Sequence, residues 1–447
     1  MIKVGTKSVA YGRMSSTWSL INDLLGGTQT MRDAANTWLP KHPRESQKKY
    51  ESRLNKSILY EAYKSSVEFV AAKPFERVVQ VKGELSERLK LIESDADYCG
   101  NSLTSVAYRA LTQGVGYGLT FLLVDYPSVP TNLTEGEELK QRVHPYINVI
   151  HPENLWNHEM GKDEYGRRIL LEVHFLEADD QLAAYKNDGT WTRYQLKDGD
   201  WVQTSTGTRT VKQITMRVFF TKRVGEMEAE PPLRGLAWLN LAHWQSDSDQ
   251  RNILSFSRMP LLFQVGMTSE ELEKPIEIGP TSVLRSTNKD AKMGYVEHTG
   301  AAIKCGADDI KSLEEKMESL ALEPFVRRPG ATATAVVKDG KKSESLVETW
   351  IRDLEFTIAE CYRDAALWVN EKLPDDFAID IFSDFDLYFG KQDDIKVLQE
   401  DRARGDLSLK TYLREVKRRG ILSESVDIDV EVEEIDSEVP EPVSDEL

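Results

Sequence analysis

Pro231-Pro232-Leu233-Arg234-Gly235-Leu236-Ala237-Trp238-Leu239-Asn240-Leu241-Ala242-His243-Trp244-Gln245-Ser246-Asp247-Ser248-Asp249-Gln250-Arg251-Asn252-Ile253-Leu254-Ser255-Phe256-Ser257-Arg258 decides how this chain is read. Past the two prolines nothing interrupts a helix except Gly235 near its start, and Pro260 ends it. One helix over 233–258 is about 39 Å long at about 1.5 Å per residue. Its first half is apolar, but 245–252 is polar on every face. A helix of that kind bridges solvent or is held by neighbours through hydrogen bonds.

Working outward, 261–306 is mixed, with strand-like runs at 260–265 and 281–284. Residues 307–325 return to helix, with Ile310, Leu313, Met317 and Leu320 in a narrow seam and acids on the other faces. Residues 326–344 are too rich in Gly, Pro, Ala and Thr for one helix, so a basic loop is expected. Ser345 with Glu348 then forms a capping box, and apolar residues keep a 3.6 period from Val347 to Trp368. A strand is expected near 377–389, and two short helices at 393–404 and 409–419 are punctuated by Gly405 and Gly420.

On the other side, the Ser-, Thr- and Gly-rich residues 1–30 predict an irregular arm. Residues 43–70 read as helix broken near Pro74. A helix over 103–112 should end in a Gly114-Val115-Gly116 turn before a strand at 119–124. Residues 145–222 read as a β-meander with turns at Asn187-Asp188-Gly189 and Lys197-Asp198-Gly199.

Hydrophobic residues make up 40% and charged residues 29%, a balance that suits packed cores in water. No apolar run approaches the roughly 18 residues of a membrane-spanning helix. Met1 to Gly5 lacks the apolar core of a secretory signal, so a cytosol-like compartment is expected. Cys99, Cys305 and Cys361 are too few and too scattered for a disulfide framework. The net charge is −17, but residues 423–447 hold eleven acids and no Lys or Arg. Without them, 63 acids face 57 bases, a net of −6. A protein that grips nucleic acid tightly would be basic.

The tail from Ser423 is too charged to fold alone. Its alternation from Val426 to Val432 suits either an edge strand or a disordered acidic bristle.

Four segments resemble the tailed-bacteriophage portal family. They are Trp38-Leu39-Pro40-Lys41-His42-Pro43-Arg44-Glu45-Ser46 with Tyr50, Arg53 and Leu54; Arg234 to Asn252 of the long helix; Tyr295 to Ile303; and Arg328 to Thr334. The resemblance spans roughly 38–370. It implies an α+β portal fold: arm 1–30, α/β wing 31–232, descending stem helix 233–260, small α/β clip 261–306, ascending stem helix 307–325, tunnel loop 326–344, long wing helix and strand 345–390, helical crown 391–422 and acidic tail 423–447.

It further implies a ring of about twelve copies at one capsid vertex. The ring would be assembled in the host cytoplasm with major capsid and scaffolding proteins. Double-stranded DNA would pass along its axis without sequence preference, and the clip would dock the terminase large subunit and then a head-tail adaptor. Glu270, Glu271, Lys289 and Asp290 are the clip charges implied to dock.

The residues fit those roles in part. Asp308, Glu314, Glu315 and Glu318 would make an acidic channel wall that repels phosphate over about 10 Å at 0.1 M salt; a solvated helix face is the plainer alternative. Arg327, Arg328, Lys338, Lys341 and Lys342 would touch DNA from the tunnel loop, or merely serve a soluble linker. Asp247, Asp249 and Arg251 would pair between neighbouring subunits, or Asp247 and Arg251 within the helix.

Enzymatic chemistry has no sequence support. Gly5-Thr6-Lys7-Ser8 and Gly340-Lys341-Lys342-Ser343 lack the phosphate-loop pattern, and no Gly-x-Ser-x-Gly elbow occurs. His144, His151 and His158 are spaced by seven with no Cys nearby, which is not zinc spacing. The expectation is therefore a non-enzyme without cofactor or metal. Another oligomeric head-completion or adaptor protein is the alternative.

Overall fold

The computed structural model describes residues 2–128, 134–258, 261–266, 288, 290, 292–296, 300–325, 345–383, 385, 393–418, 422, 423 and 426–438. In chain order these form α1 (Val9–Gly26), α2 (Thr28–Asp33), α3 (Gln47–Lys56), α4 (Ala62–Ala72), β1 (Gln80–Lys82), α5 (Glu87–Ser94), α6 (Leu103–Tyr117), β2 (Leu119–Asp125), α7 (Glu135–Lys140) and β3 (Tyr146–Ile150). Next come β4 (Leu155–Lys162), β5 (Arg168–Ala178), β6 (Gln181–Lys186), β7 (Thr190–Lys197), β8 (Asp200–Thr208) and β9 (Met216–Phe220). The second half supplies α8 (Arg234–Ser257), β10 (Leu261–Val265), β11 (Lys292–Val296), α9 (Ala301–Leu322), α10 (Leu346–Trp368), β12 (Ala378–Asp380), α11 (Asp393–Arg404), α12 (Leu409–Arg418) and α13 (Ile428–Glu438). The fold is mixed α and β. Two compact units divide it, 1–382 and 383–447.

Serine starts many of the helices. Ser8, Ser46, Ser86, Ser102 and Ser345 each accept a hydrogen bond from the backbone N–H three residues on, satisfying a donor the helix leaves free. At Ser345 the box is reciprocal, with the Glu348 carboxylate accepting from the Ser345 N–H at 2.8 Å.

The first unit centres on a three-stranded antiparallel sheet in the order β3-β2-β9. Every residue of β2 from Leu119 to Val124 is buried, because α6 and α10 both pack on this sheet. Trp18 of α1 donates to the Tyr117 carbonyl and Tyr63 of α4 to the Gly116 carbonyl, so two buried aromatics cap the end of α6. A second sheet, β4-β5-β6-β7-β8, is a fully antiparallel meander, and β12 pairs with β1.

Several expectations need correction. The N-terminal segment is not an irregular arm: α1 buries Trp18, Leu20, Ile21 and Leu24 despite its Ser and Gly content. The helix expected over 43–70 is two helices, parted at 57–61. Gly114-Val115-Gly116 is not a turn. α6 runs through it and ends at Gly118, whose φ of +95° suits glycine. Gly114 is small because a Cβ there would meet the Phe219 ring at 2.5 Å. Seven strands fill 145–222, but only β4 to β8 form the expected meander, while β3 and β9 flank β2 in the other sheet.

In the second unit α12 buries Leu413 and Val416. Lys410 pairs with Asp429 at 2.5 Å, and Lys417 donates to the Val426 carbonyl at 2.6 Å. The tail from 428 to 438 is therefore helix, neither edge strand nor bristle. Asp427 caps it by accepting from the N–H of Asp429, and Ile428, Val432 and Ile435 share its partly covered face.

Candidate functional site

α8 and α9 lie antiparallel, and residue-level contacts fix their register. Gln250 donates to the Ile303 carbonyl at 2.7 Å, His243 Nε2 sits 3.2 Å from Glu314, and Gly235 faces Leu320. A Cβ on Gly306 would strike the Gln250 amide, so glycine lets the helices close there. The register continues in β10 and β11, paired antiparallel from Leu261–Val296 to Val265–Lys292. α9 begins at Ala301, earlier than the sequence suggested.

Six of the eight side chains of the polar run, all but those of Ser246 and Asn252, meet partners among the described residues. Gln245 donates to the Trp38 carbonyl at 2.8 Å. Ser248 accepts from Ser57 at 2.8 Å. Asp249 meets His42 at 3.0 Å and Arg53 at 3.5 Å. Arg251 pairs with Asp247 at 2.6 Å along the helix, the alternative that sequence left open.

Arg53 is the centre of this lock. Its side chain is buried, donates twice to Glu45 at 2.8 and 3.0 Å, and donates to the Pro40 carbonyl. The hydrogen bond from Arg53 holds the Glu45 carboxyl below the ordinary range, and Glu45 in turn raises Arg53. The first and second segments that carry the portal resemblance, 38–54 and 234–252, are thus joined by hydrogen bonds.

The acidic wall is more mixed than its acids suggested. Asp308, Glu315 and Glu318 are exposed, but Lys304 and Lys311 share their stripe, and Lys311 sits 3.9 Å from Glu315. Five acids against three lysines leave α9 at −2. Glu314 faces His243 instead of solvent alone. Arg327, Arg328, Lys338, Lys341 and Lys342 lie outside the described residues, as do Glu270, Glu271 and Lys289. Asp290 is exposed, its N–H held by Asn288 at 3.0 Å.

Sequence reasoning missed a second feature, a cleft of 670 Å³ beside the junction of the two sheets. Asp125 at the end of β2 accepts from Tyr185 of β6 at 3.0 Å and from the Tyr126 N–H at 2.9 Å. Burial pushes its carboxyl up and pulls the Arg209 guanidinium down. Arg209 lies 4.5 Å from the Tyr185 ring centre, and Arg193 is held by Glu177. Tyr126 and Trp368 stack on its rim at 6.1 Å. No local motif announces such a site, because its lining residues come from eight separate elements.

Among the described residues, no group of three or more His, Cys, Asp or Glu could hold a metal, and no helix is long and apolar enough to cross a membrane. Residues 232–369 match a family described as "Domain of unknown function (DUF4055)". No curated protein matches the chain. Two solved structures to which the chain is similar are described as "Virion of native gene transfer agent (GTA) particle" and "Neck of empty GTA particle computed with C6 symmetry". In each the likeness covers 80% of this chain and 89% of the other, at 10% identity and a TM-score of 0.43.

Proposed function

We propose that this chain is a portal subunit: a non-enzymatic ring component through which double-stranded DNA enters and leaves a phage capsid. The observation that carries the reading is the joining of 38–54 to 234–252. The two most extended portal-like segments meet in one buried lock, and that lock fixes the middle of a long antiparallel helix pair. The first half of α8 packs in the chain's own core through Leu236, Leu241 and Trp244, whereas its second half beyond the lock is largely exposed. Trp238 and Ile253 of α8 stay exposed, at 52% and 38%, as a face for neighbouring copies would.

In this role the helix pair is the stem and 261–300 the clip that docks the terminase large subunit and a head-tail adaptor. Capsid and scaffolding proteins would surround the wing. A stripe of alternating sign on α9 gives a duplex no continuous basic track, so DNA slides instead of sticking. Lys338, Lys341 and Lys342 would supply weak, sequence-independent phosphate contacts.

Negative-stain imaging and sedimentation of the purified full chain test the proposal. Rings with a central hole, about twelve-fold, are the expected result. A compact monomer at every concentration would overturn it.

A further inference from the structure

The second unit carries a cationic helix face that the chain itself covers with acid. Lys410, Arg414 and Lys417 recur at i, i+4 and i+7, so they line one side of α12. That helix holds four bases against one acid, in a chain whose residues 1–422 are net −6. α13 meets the cationic side: Lys410 lies 2.5 Å from Asp429, and Lys417 donates to the Val426 carbonyl at 2.6 Å. Hydrogen bonding from Lys410, aided by the nearby Arg414 charge, holds the Asp429 carboxyl below its ordinary range.

The cover is weakly held. Among its described side chains none is buried: Ile428, Val432 and Ile435 are half-covered, and Val430 is exposed. A helix of 11 residues is marginal on its own. This one also sets like charges together, Asp429 with Glu433 at i,i+4 and Glu431 with Glu434 at i,i+3. The Lys410–Asp429 pair is open to solvent on both sides, so salt screens it. The charge of α12 is thus a main hold on α13, and a stronger polyanion competes for the same cations.

The present occupant identifies that competitor. Residues 428–438 hold six acids and no base. At about 1.5 Å per residue this is one negative charge per roughly 3 Å of helix axis. Duplex DNA carries one per about 1.7 Å. A face that accepts such a rod is matched to a linear phosphate polyanion, not to a single small anion.

We propose that α12 is a binding face for the phosphate backbone of double-stranded DNA and that α13 is its built-in competitor. With α13 docked, dilute DNA finds the face shut. A duplex crowded against it displaces the acidic helix and takes Lys410, Arg414 and Lys417, contacts that carry no sequence preference. The choice of duplex DNA rests on the portal reading above; the covering of α12 by α13 does not.

The test uses the full chain and a short fluorescent duplex at low salt. Asp429→Asn, Glu431→Gln and Glu433→Gln together should tighten binding about tenfold or more and steepen its salt dependence. Neutralising three exposed acids elsewhere, by Glu164→Gln, Asp198→Asn and Asp200→Asn, changes the net charge equally and should do much less. Adding Lys410→Gln, Arg414→Gln and Lys417→Gln to the tail variant should return binding to its starting level. In the unsubstituted chain, saturating duplex should speed amide exchange over 428–438.

Equal tightening by the remote set, or by the tail set once the three cations are gone, would overturn the proposal. So would exchange over 428–438 that duplex leaves unchanged. Polyphosphate releasing α13 where duplex does not would overturn DNA as the competitor. Each of these results leaves the ring reading standing, whereas a chain that shows the masking yet stays monomeric supports the covered face and overturns the ring alone.

Discussion

Arg217 on β9 and Asp364 on α10, 147 residues apart, grip each other through two parallel hydrogen bonds of 2.7 and 2.6 Å. The Asp364 side chain is 1% exposed and the Arg217 side chain 34%, so the pair is asymmetric in its burial. Removing the arginine strands a buried carboxylate, whereas removing the carboxylate leaves a partly hydrated guanidinium that still reaches Glu360 at 3.2 Å. Arg217→Met should therefore cost about 3 kcal/mol of unfolding free energy, and Asp364→Asn clearly less. Denaturant unfolding of both variants checks the order.

The Arg53–Glu45 lock makes a prediction about pH. The Glu45 carboxyl is held below its ordinary value by Arg53, so its unfolded form binds protons first as pH falls. The stability it confers is complete above the ordinary glutamate value and is lost as pH falls through the depressed one. Glu45→Gln should flatten this part of the stability–pH curve, and Arg53→Met should destabilise by about 3 kcal/mol at neutral pH. Unfolding titrations from neutral to acidic pH read both.

Gly114→Ala should destabilise by about 1–3 kcal/mol, because the added methyl meets the Phe219 ring where α6 packs on β9. Phe219→Leu in the same chain should return part of the loss, which thermal unfolding of the double variant will reveal.

Replacing Lys338, Lys341 and Lys342 with Ala should leave rings intact and lower the amount of DNA packaged or retained in particles. Unchanged DNA content would remove these lysines from the DNA path.

Strong local signals were legible in the sequence. The capping box at Ser345 and the apolar period of α10 are explicit in residue type, and so are the prolines that bound α8. Of the polar run 245–252 only the Asp247–Arg251 pair was legible, from its i,i+4 spacing. The other partners lie between residues 38 and 57 and beyond 300, and no rule of local spacing links Ser248 to Ser57 or Gln250 to the Ile303 carbonyl. α1 was hidden because its serines and glycines line the outside of an apolar stripe. The tail misled in the opposite sense: Val426 to Val432 has a strand's alternation, but Asp427 caps a helix and Lys410 reaches Asp429. The cleft was invisible for the same reason as the lock, since its donors and acceptors converge only when two sheets and a helix meet.

The outgoing and returning arms of the helix pair are matched in length. Eighteen residues separate His243 from Leu261 on the way out, and eighteen separate Val296 from Glu314 on the way back. Length changes are consequently tolerated only as balanced pairs. Dropping one residue from 251–260 alone would slip β10 against β11 by a place and reverse which side chains face each way. Dropping one from each arm would merely shorten the rod. Drift among homologues should leave that arithmetic intact, with gaps in one arm mirrored in the other.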